Sequence, residues 1–221
     1  MNKMKFEIQR KAMVDSQIRP NKVFEDDIIA AFSTVPREVF VPKQLTNIAY
    51  VDEDIALSGG RYIIEAMVMA RLFQSFELDG SQNVMVVASS TGYGAAVISH
   101  LVSSVIAIET RAQMVEKAQQ NVSDLGISNV AFVKSRLQDG FESEGPYHAI
   151  FIEGGIEVLP DALTDQLADG GRLAAVMRQP GSAVGDACIW QKNGQNITQN
   201  RLFTAQTPVL DEFKAKPKFT F

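Results

Sequence analysis

Residues 83–94 read Asn83-Val84-Met85-Val86-Val87-Ala88-Ser89-Ser90-Thr91-Gly92-Tyr93-Gly94. An almost wholly apolar run leads into a turn, and residues 95–102 then continue with apolar side chains at helical spacing. Short runs of this kind suit strands buried on both faces, as in parallel sheets. A second run, Val105-Ile106-Ala107-Ile108, follows and ends at Glu109. Strand, turn, helix and strand in this order open a βαβ unit.

The pattern continues downstream. Val115, Ala118, Val122 and Leu125 form one helix face, with Gly126 as its stop. Thr110 and Gln113 predict a capping box at its start. Val130-Ala131-Phe132-Val133, Ala149-Ile150-Phe151-Ile152 and Leu173-Ala174-Ala175-Val176 read as three further strands, with a short helix over residues 160–167. Residues 187–191 and 196–203 flank Asn193-Gly194, a hairpin signal. The expected fold is α/β: a three-layer, Rossmann-like sandwich with a mostly parallel seven-stranded sheet closed by an antiparallel hairpin. Upstream, residues 14–18 and 26–32 are helical candidates, and Val35-Pro36 breaks the second. Ile64, Val68, Leu72 and Phe76 predict a helix over residues 62–76. The division is a helical N-terminal extension, residues 1–60, packed on an α/β domain, residues 61–221, together effectively one domain.

Composition narrows the function classes. The 221 residues are 46% hydrophobic and 21% charged, ordinary globular values. The net charge of −5 argues against a nucleic-acid partner. One cysteine, Cys188, and two distant histidines, His100 and His148, argue against a disulfide framework or a metal site. No targeting segment or membrane-length apolar run is visible, so a cytoplasmic protein is expected. Cys188 and Trp190 read as core residues, His148 as a surface or capping residue, and the run from Lys214 to Lys218 as a solvated tail. Glu153 falls on the ligand-facing rim, where structural and functional roles are evenly balanced.

Ligands of open parallel sheets bind beyond the carboxyl ends of the strands. Glu109 lies about twenty residues after the first turn, the spacing of a ribose-binding acid. It is expected to face residues 88–92 across an open cleft and to accept hydrogen bonds from ribose hydroxyls, each worth roughly 1.5–3 kcal/mol. The competing role is a solvated acid at the start of the next helix. No catalytic residue stands out.

At these residues the sequence resembles protein-L-isoaspartate O-methyltransferases, class I methyltransferases dependent on S-adenosylmethionine. The likeness is carried by Val35-Pro36-Arg37-Glu38-Val39-Phe40-Val41-Pro42 with Ala49-Tyr50-Val51-Asp52. It is carried also by Thr91-Gly92-Tyr93-Gly94-Ala95-Ala96-Val97, and by Gln166-Leu167 with Asp169-Gly170-Gly171-Arg172-Leu173. It runs from about Met13 to Val176. It implies S-adenosylmethionine as cofactor, held at Ala88, Ser90, Gly92 and Glu109, and methyl transfer to an isoaspartyl carboxylate of a damaged protein or peptide, a repair reaction. It also implies the strand order 3-2-1-4-5-7-6.

Three segments depart from the family pattern. In the cofactor loop the acid's position is Val86, and the first two glycine positions are Ala88 and Ser90. Non-glycine residues at positive φ cost on the order of 1–3 kcal/mol. Where the family has a Gly-Gln-Thr-Ile-Ser-like segment, this chain reads Gly60-Arg61-Tyr62-Ile63-Ile64, and Ile64 cannot bond a carboxylate. After the third strand, Lys134-Ser135-Arg136 replaces an acid expected to bind adenine, and arginine accepts no hydrogen bond. Compensation could come from hydroxyls at Ser89, Ser90 or Thr91, or from Arg61 or Tyr62 reaching the substrate. Two readings stand: a methyltransferase, or a non-catalytic binding or scaffold protein on the same fold. The Gly92/Gly94 spacing with Glu109 also fits an NAD-type oxidoreductase, against which the N-terminal signature speaks.

Overall fold

The computed structural model describes residues 2–216; Pro217 and Lys218 of the basic tail lie outside the described residues. Helix α1 (Asn2–Met13) runs through a π-helical turn, Val14–Ile18, toward α2 (Asp26–Thr34). Val35 is extended before Pro36, as the proline requires. Two short strands, β1 (Ile55–Ala56) and β2 (Tyr62–Ile63), pair antiparallel. That pairing delays α3 to Ala66–Gln74, four residues after its expected start. The turn between β1 and β2 carries Arg61.

The main sheet follows: β3 (Asn83–Val87), α4 (Tyr93–Ile98), β4 (Ser104–Glu109), α5 (Ala112–Asp124), β5 (Val130–Lys134), β6 (Tyr147–Ile156), α6 (Asp161–Asp165), β7 (Leu167–Arg178), β8 (Gly185–Asn193) and β9 (Asn196–Ala205). Alternate residues of β3 enter opposite cores. Val84 and Val86 pack with Phe32, Phe73 and Val97 of the helices before and after β3, whereas Met85 and Val87 pack with Ile152, Leu163 and Leu210. All four are fully buried, as the apolar run predicts. Cys188 and Trp190 are core residues too. Among the described residues no helix is long and apolar enough to cross a membrane.

The order is β5-β4-β3-β6-β7-β8-β9, parallel as far as β7 and antiparallel at β7–β8 and β8–β9. In chain order that is 3-2-1-4-5-6-7, which corrects the expected 3-2-1-4-5-7-6. The reason is connection length. Arg178 and Gly185 are cross-strand partners, so the chain between them turns straight back. Passing over a strand would need a crossover of about a dozen residues or more. The second hairpin pairs Asn193 with Asn196, leaving Gly194 and Gln195 as the turn. Gly194 has φ +59°, as a type II′ turn needs at its first central position. The expected capping box does not form. Arg111 is the N-cap of α5 and no side chain caps the helix, because the Thr110 hydroxyl is engaged by Glu109 and Arg61.

Candidate functional site

The turn after β3 takes positive φ at three alternate residues, only the last of which is glycine. Ala88 has φ +62°, Ser90 +54° and Gly92 +96°. At Gly92 a Cβ would come within 3.0 Å of the Phe132 ring and 3.2 Å of Ala118, so glycine is required there. Hydrogen bonds pin the others: Ser89 N donates to Ile108 O (3.1 Å), Gly92 N to Ser89 O (2.8 Å), and the Thr91 hydroxyl to Phe40 O (2.6 Å). Ser90 N donates to Glu109 Oε2 at 3.3 Å. Ala88, Ser90, Gly92 and Glu109 are thus brought to one place, at the carboxyl ends of β3 and β4.

The expected open cleft is absent. Ala88 and Glu109 are 0% exposed and Ser90 1%. The cause is Arg61. Its Nε donates to Glu109 Oε2 at 2.8 Å and its Nη2 to Oε1 at 3.0 Å, a two-pronged ion pair. Glu212, from the chain beyond β9, accepts from Nη2 at 2.6 Å and Nη1 at 3.1 Å. Arg61 is itself only 2% exposed. Thr110 N (2.6 Å) and its hydroxyl (3.0 Å) also donate to Glu109 Oε1. A carboxylate offers about four lone-pair sites. Two donors from Arg61, two from Thr110 and one from Ser90 leave none for a ribose. Burial opposes the charges of this pair, but the mutual hydrogen bonds outweigh it. The Glu109 carboxyl is held below its ordinary value, and Arg61 above its own.

A second buried group fills the neighbouring strand end. Glu153 on β6 is 1% exposed, and neither of its oxygens has a hydrogen-bond partner among the described residues. The same holds for Ser90 Oγ, Tyr93 OH and Arg37 Nη1. Gly94 presses on Glu153: a Cβ there would lie 2.8 Å from Oε2. Arg37 is anchored to Ala49 O (2.8 Å) and Ile64 O (2.9 Å) and lies 4.8 Å from the Tyr93 ring centre. Burial pushes the Glu153 carboxyl well above its ordinary value, against the pull of Arg37 and with a further push from Glu109. Burial without a bonded counter-charge favours the protonated form of Glu153.

Ile64 is a core residue, 1% exposed. Arg136 is exposed and turns toward Asp139. Arg61 reaches Glu109 rather than a substrate position. Sequence reasoning misses Arg61 as the partner of Glu109 and Glu212 as the second partner of Arg61. The signal for Arg61 was present, since it stands where the family segment has glutamine. Nothing local marks Glu212, which lies 151 residues from Arg61. In this arrangement Arg61 engages the carboxylate that the resemblance assigns to the ribose of S-adenosylmethionine, and Ala88 and Ser90 beside it are buried.

The family model described as protein-L-isoaspartate(D-aspartate) O-methyltransferase matches residues 8–211. A protein-L-isoaspartate O-methyltransferase of Herpetosiphon aurantiacus is 35% identical over 189 residues, covering 85% of this chain and 83% of that one. One from Geobacter metallireducens is 32% identical over 197 residues, covering 89% and 91%. A solved protein-L-isoaspartate O-methyltransferase superposes with TM-score 0.80 at 27% identity, covering 90% of this chain and 65% of that chain. A structure from Plasmodium falciparum, described as a putative member in complex with S-adenosyl-L-homocysteine, shares the fold with TM-score 0.71 at 21% identity, covering 92% and 98%.

Proposed function

We propose that this chain, which belongs to the protein-L-isoaspartate(D-aspartate) O-methyltransferase family, keeps the family's fold as a non-catalytic binding or scaffold module. The carrying observation is the saturation of Glu109 by Arg61, Thr110 and Ser90. Methyl transfer between a sulfonium and a carboxylate is mostly alignment of acceptor, methyl carbon and sulfur. Alignment needs both partners anchored. Here the ribose acceptor is occupied and Ile64 offers the substrate end no hydroxyl. The buried acid Glu153 adds an unbonded carboxyl beside the same strand ends. A cytoplasmic setting belongs to the same reading and agrees with a single buried, unpaired cysteine. The net charge of −5 agrees with the absence of a nucleic-acid partner.

A second reading has one observation in its favour. The backbone at Ala88, Ser90 and Gly92 retains the positive φ angles of a cofactor-cradling loop, although two of the three residues carry a side chain. In that reading the chain is an S-adenosylmethionine-dependent protein-L-isoaspartate O-methyltransferase, acting on damaged protein, and Arg61 must leave Glu109 first. An assay of purified protein with an isoaspartyl peptide and labelled S-adenosylmethionine separates the two. The first reading expects no transfer above background, beside an active family member as control. Turnover comparable to that control would establish the second.

A further inference from the structure

Beside the closed cleft lies a cavity of about 350 Å³ whose lining includes none of Ala88, Ser90, Glu109 or Arg61. Its floor is apolar: Phe40 (1% exposed), Val41 and Met114. Its rim carries two cations, Arg111 and Lys117, both exposed. Neither forms an ion pair among the described residues, although the chain is acidic overall. Arg111 is also placed rather than loose. Its guanidinium lies against Gly59 of the β1–β2 turn, where an added Cβ would sit 1.2 Å from Nη1. A side chain at residue 59 would push the charge off the rim. The first turn of α5, which starts here, holds no acid to offset these charges.

An apolar floor under two unpaired cations complements one kind of ligand. A neutral apolar molecule would leave both cations unused, and a small inorganic anion would leave the floor unused. The volume falls in the range of small-molecule sites, roughly 300–1,000 Å³. We propose that this cavity binds a small amphipathic anion, its apolar body on Phe40 and Met114 and its carboxylate or similar group between Arg111 and Lys117. The site is independent of the closed cleft. Its test reads Arg111 and Lys117, whereas that of the cleft reads Arg61.

The test uses the full chain and 2-naphthoate, with 2-naphthamide as the neutral counterpart of nearly the same shape. Binding is followed by calorimetry and by the NMR signal of the Met114 methyl group. The expected result is saturable binding of naphthoate with a shift at Met114, and binding of the amide at least about tenfold weaker, the scale for a lost charge-assisted hydrogen bond. Arg111→Gln and Lys117→Gln should each weaken naphthoate several-fold and leave thermal unfolding unchanged. Equal affinity for acid and amide would overturn the proposal, as would binding indifferent to both substitutions or no saturable binding at millimolar naphthoate. Comparing the two ligands on the unaltered protein keeps the question decidable even if a variant unfolds.

Discussion

Arg61 holds the site together at the scale of single residues. It faces Glu109, fully buried, and Glu212, which is 24% exposed. Removing one partner of a buried pair leaves an uncompensated charge and costs about 3–5 kcal/mol. Arg61→Ala should therefore lower unfolding stability by about that amount in urea denaturation. Arg61→Met combined with Glu109→Gln should lose less than the sum of the single changes, since the residues interact directly. A purely additive pair would show that the ion pair contributes nothing of its own. The Glu109 pKa is depressed, so its stabilisation is present above the ordinary value of 4.5 and is lost as pH falls through the folded value. Glu65 has the opposite sign. Burial, with Asp52 and Asp54 nearby, pushes its pKa up from 4.5 to about 7. Ionising it costs more in the folded chain than in the unfolded one, so stability falls as pH rises from about 4.5 through about 7. Glu65→Gln should flatten this part of the stability–pH curve and raise stability at pH 8. An unchanged curve would contradict the shift.

The loop after β3 shows at the scale of an element how the fold retains a shape that its sequence resists. Ala88 and Ser90 sit at positive φ, each at a cost of about 1–3 kcal/mol. Ser90 also buries a hydroxyl with no partner. Glycine at residue 90 would remove both costs and add about 0.4–1 kcal/mol of unfolded-chain entropy. The first effect is the larger, so Ser90→Gly should stabilise by about 1 kcal/mol, seen as a raised melting temperature. Destabilisation would mean that the serine is held by something not among its described contacts. The strands themselves were legible because Val84 to Val87 is an unbroken apolar run and β-hairpin chemistry is local. Their order was not taken from that local chemistry. The resemblance put the last strand inside the sheet, while the direct pairing of Arg178 with Gly185 puts β8 next to β7 and leaves β9 at the edge. Periodicity starts the next helix at residue 62, because Ile64 and Val68 fall at helical spacing, four residues before its observed start. Pairing of Tyr62 with Ala56 wins over that periodicity.

Across the whole molecule, the fold is that of an enzyme family and the cleft is filled from three sides. Arg61 comes from the β1–β2 turn, Glu212 from beyond β9, and Glu153 from the middle of the sheet. The location of the site was readable, because Glu109 ends a strand beside a strand–turn–helix. Its closure was only half readable. Val86, Ser90, Ile64 and Arg136 mark where the sequence departs from the family pattern. The pairing of Arg61 with Glu109 and Glu212 joins residues 48 and 151 positions apart, which no spacing reveals. Glu109 already has its partner in Arg61. Calorimetric titration of the unaltered chain with S-adenosyl-L-homocysteine, beside Arg61→Gln, tests it most directly. No saturable binding to the unaltered chain is expected at millimolar ligand. Saturable micromolar binding to the unaltered chain, unchanged by Arg61→Gln, would contradict it.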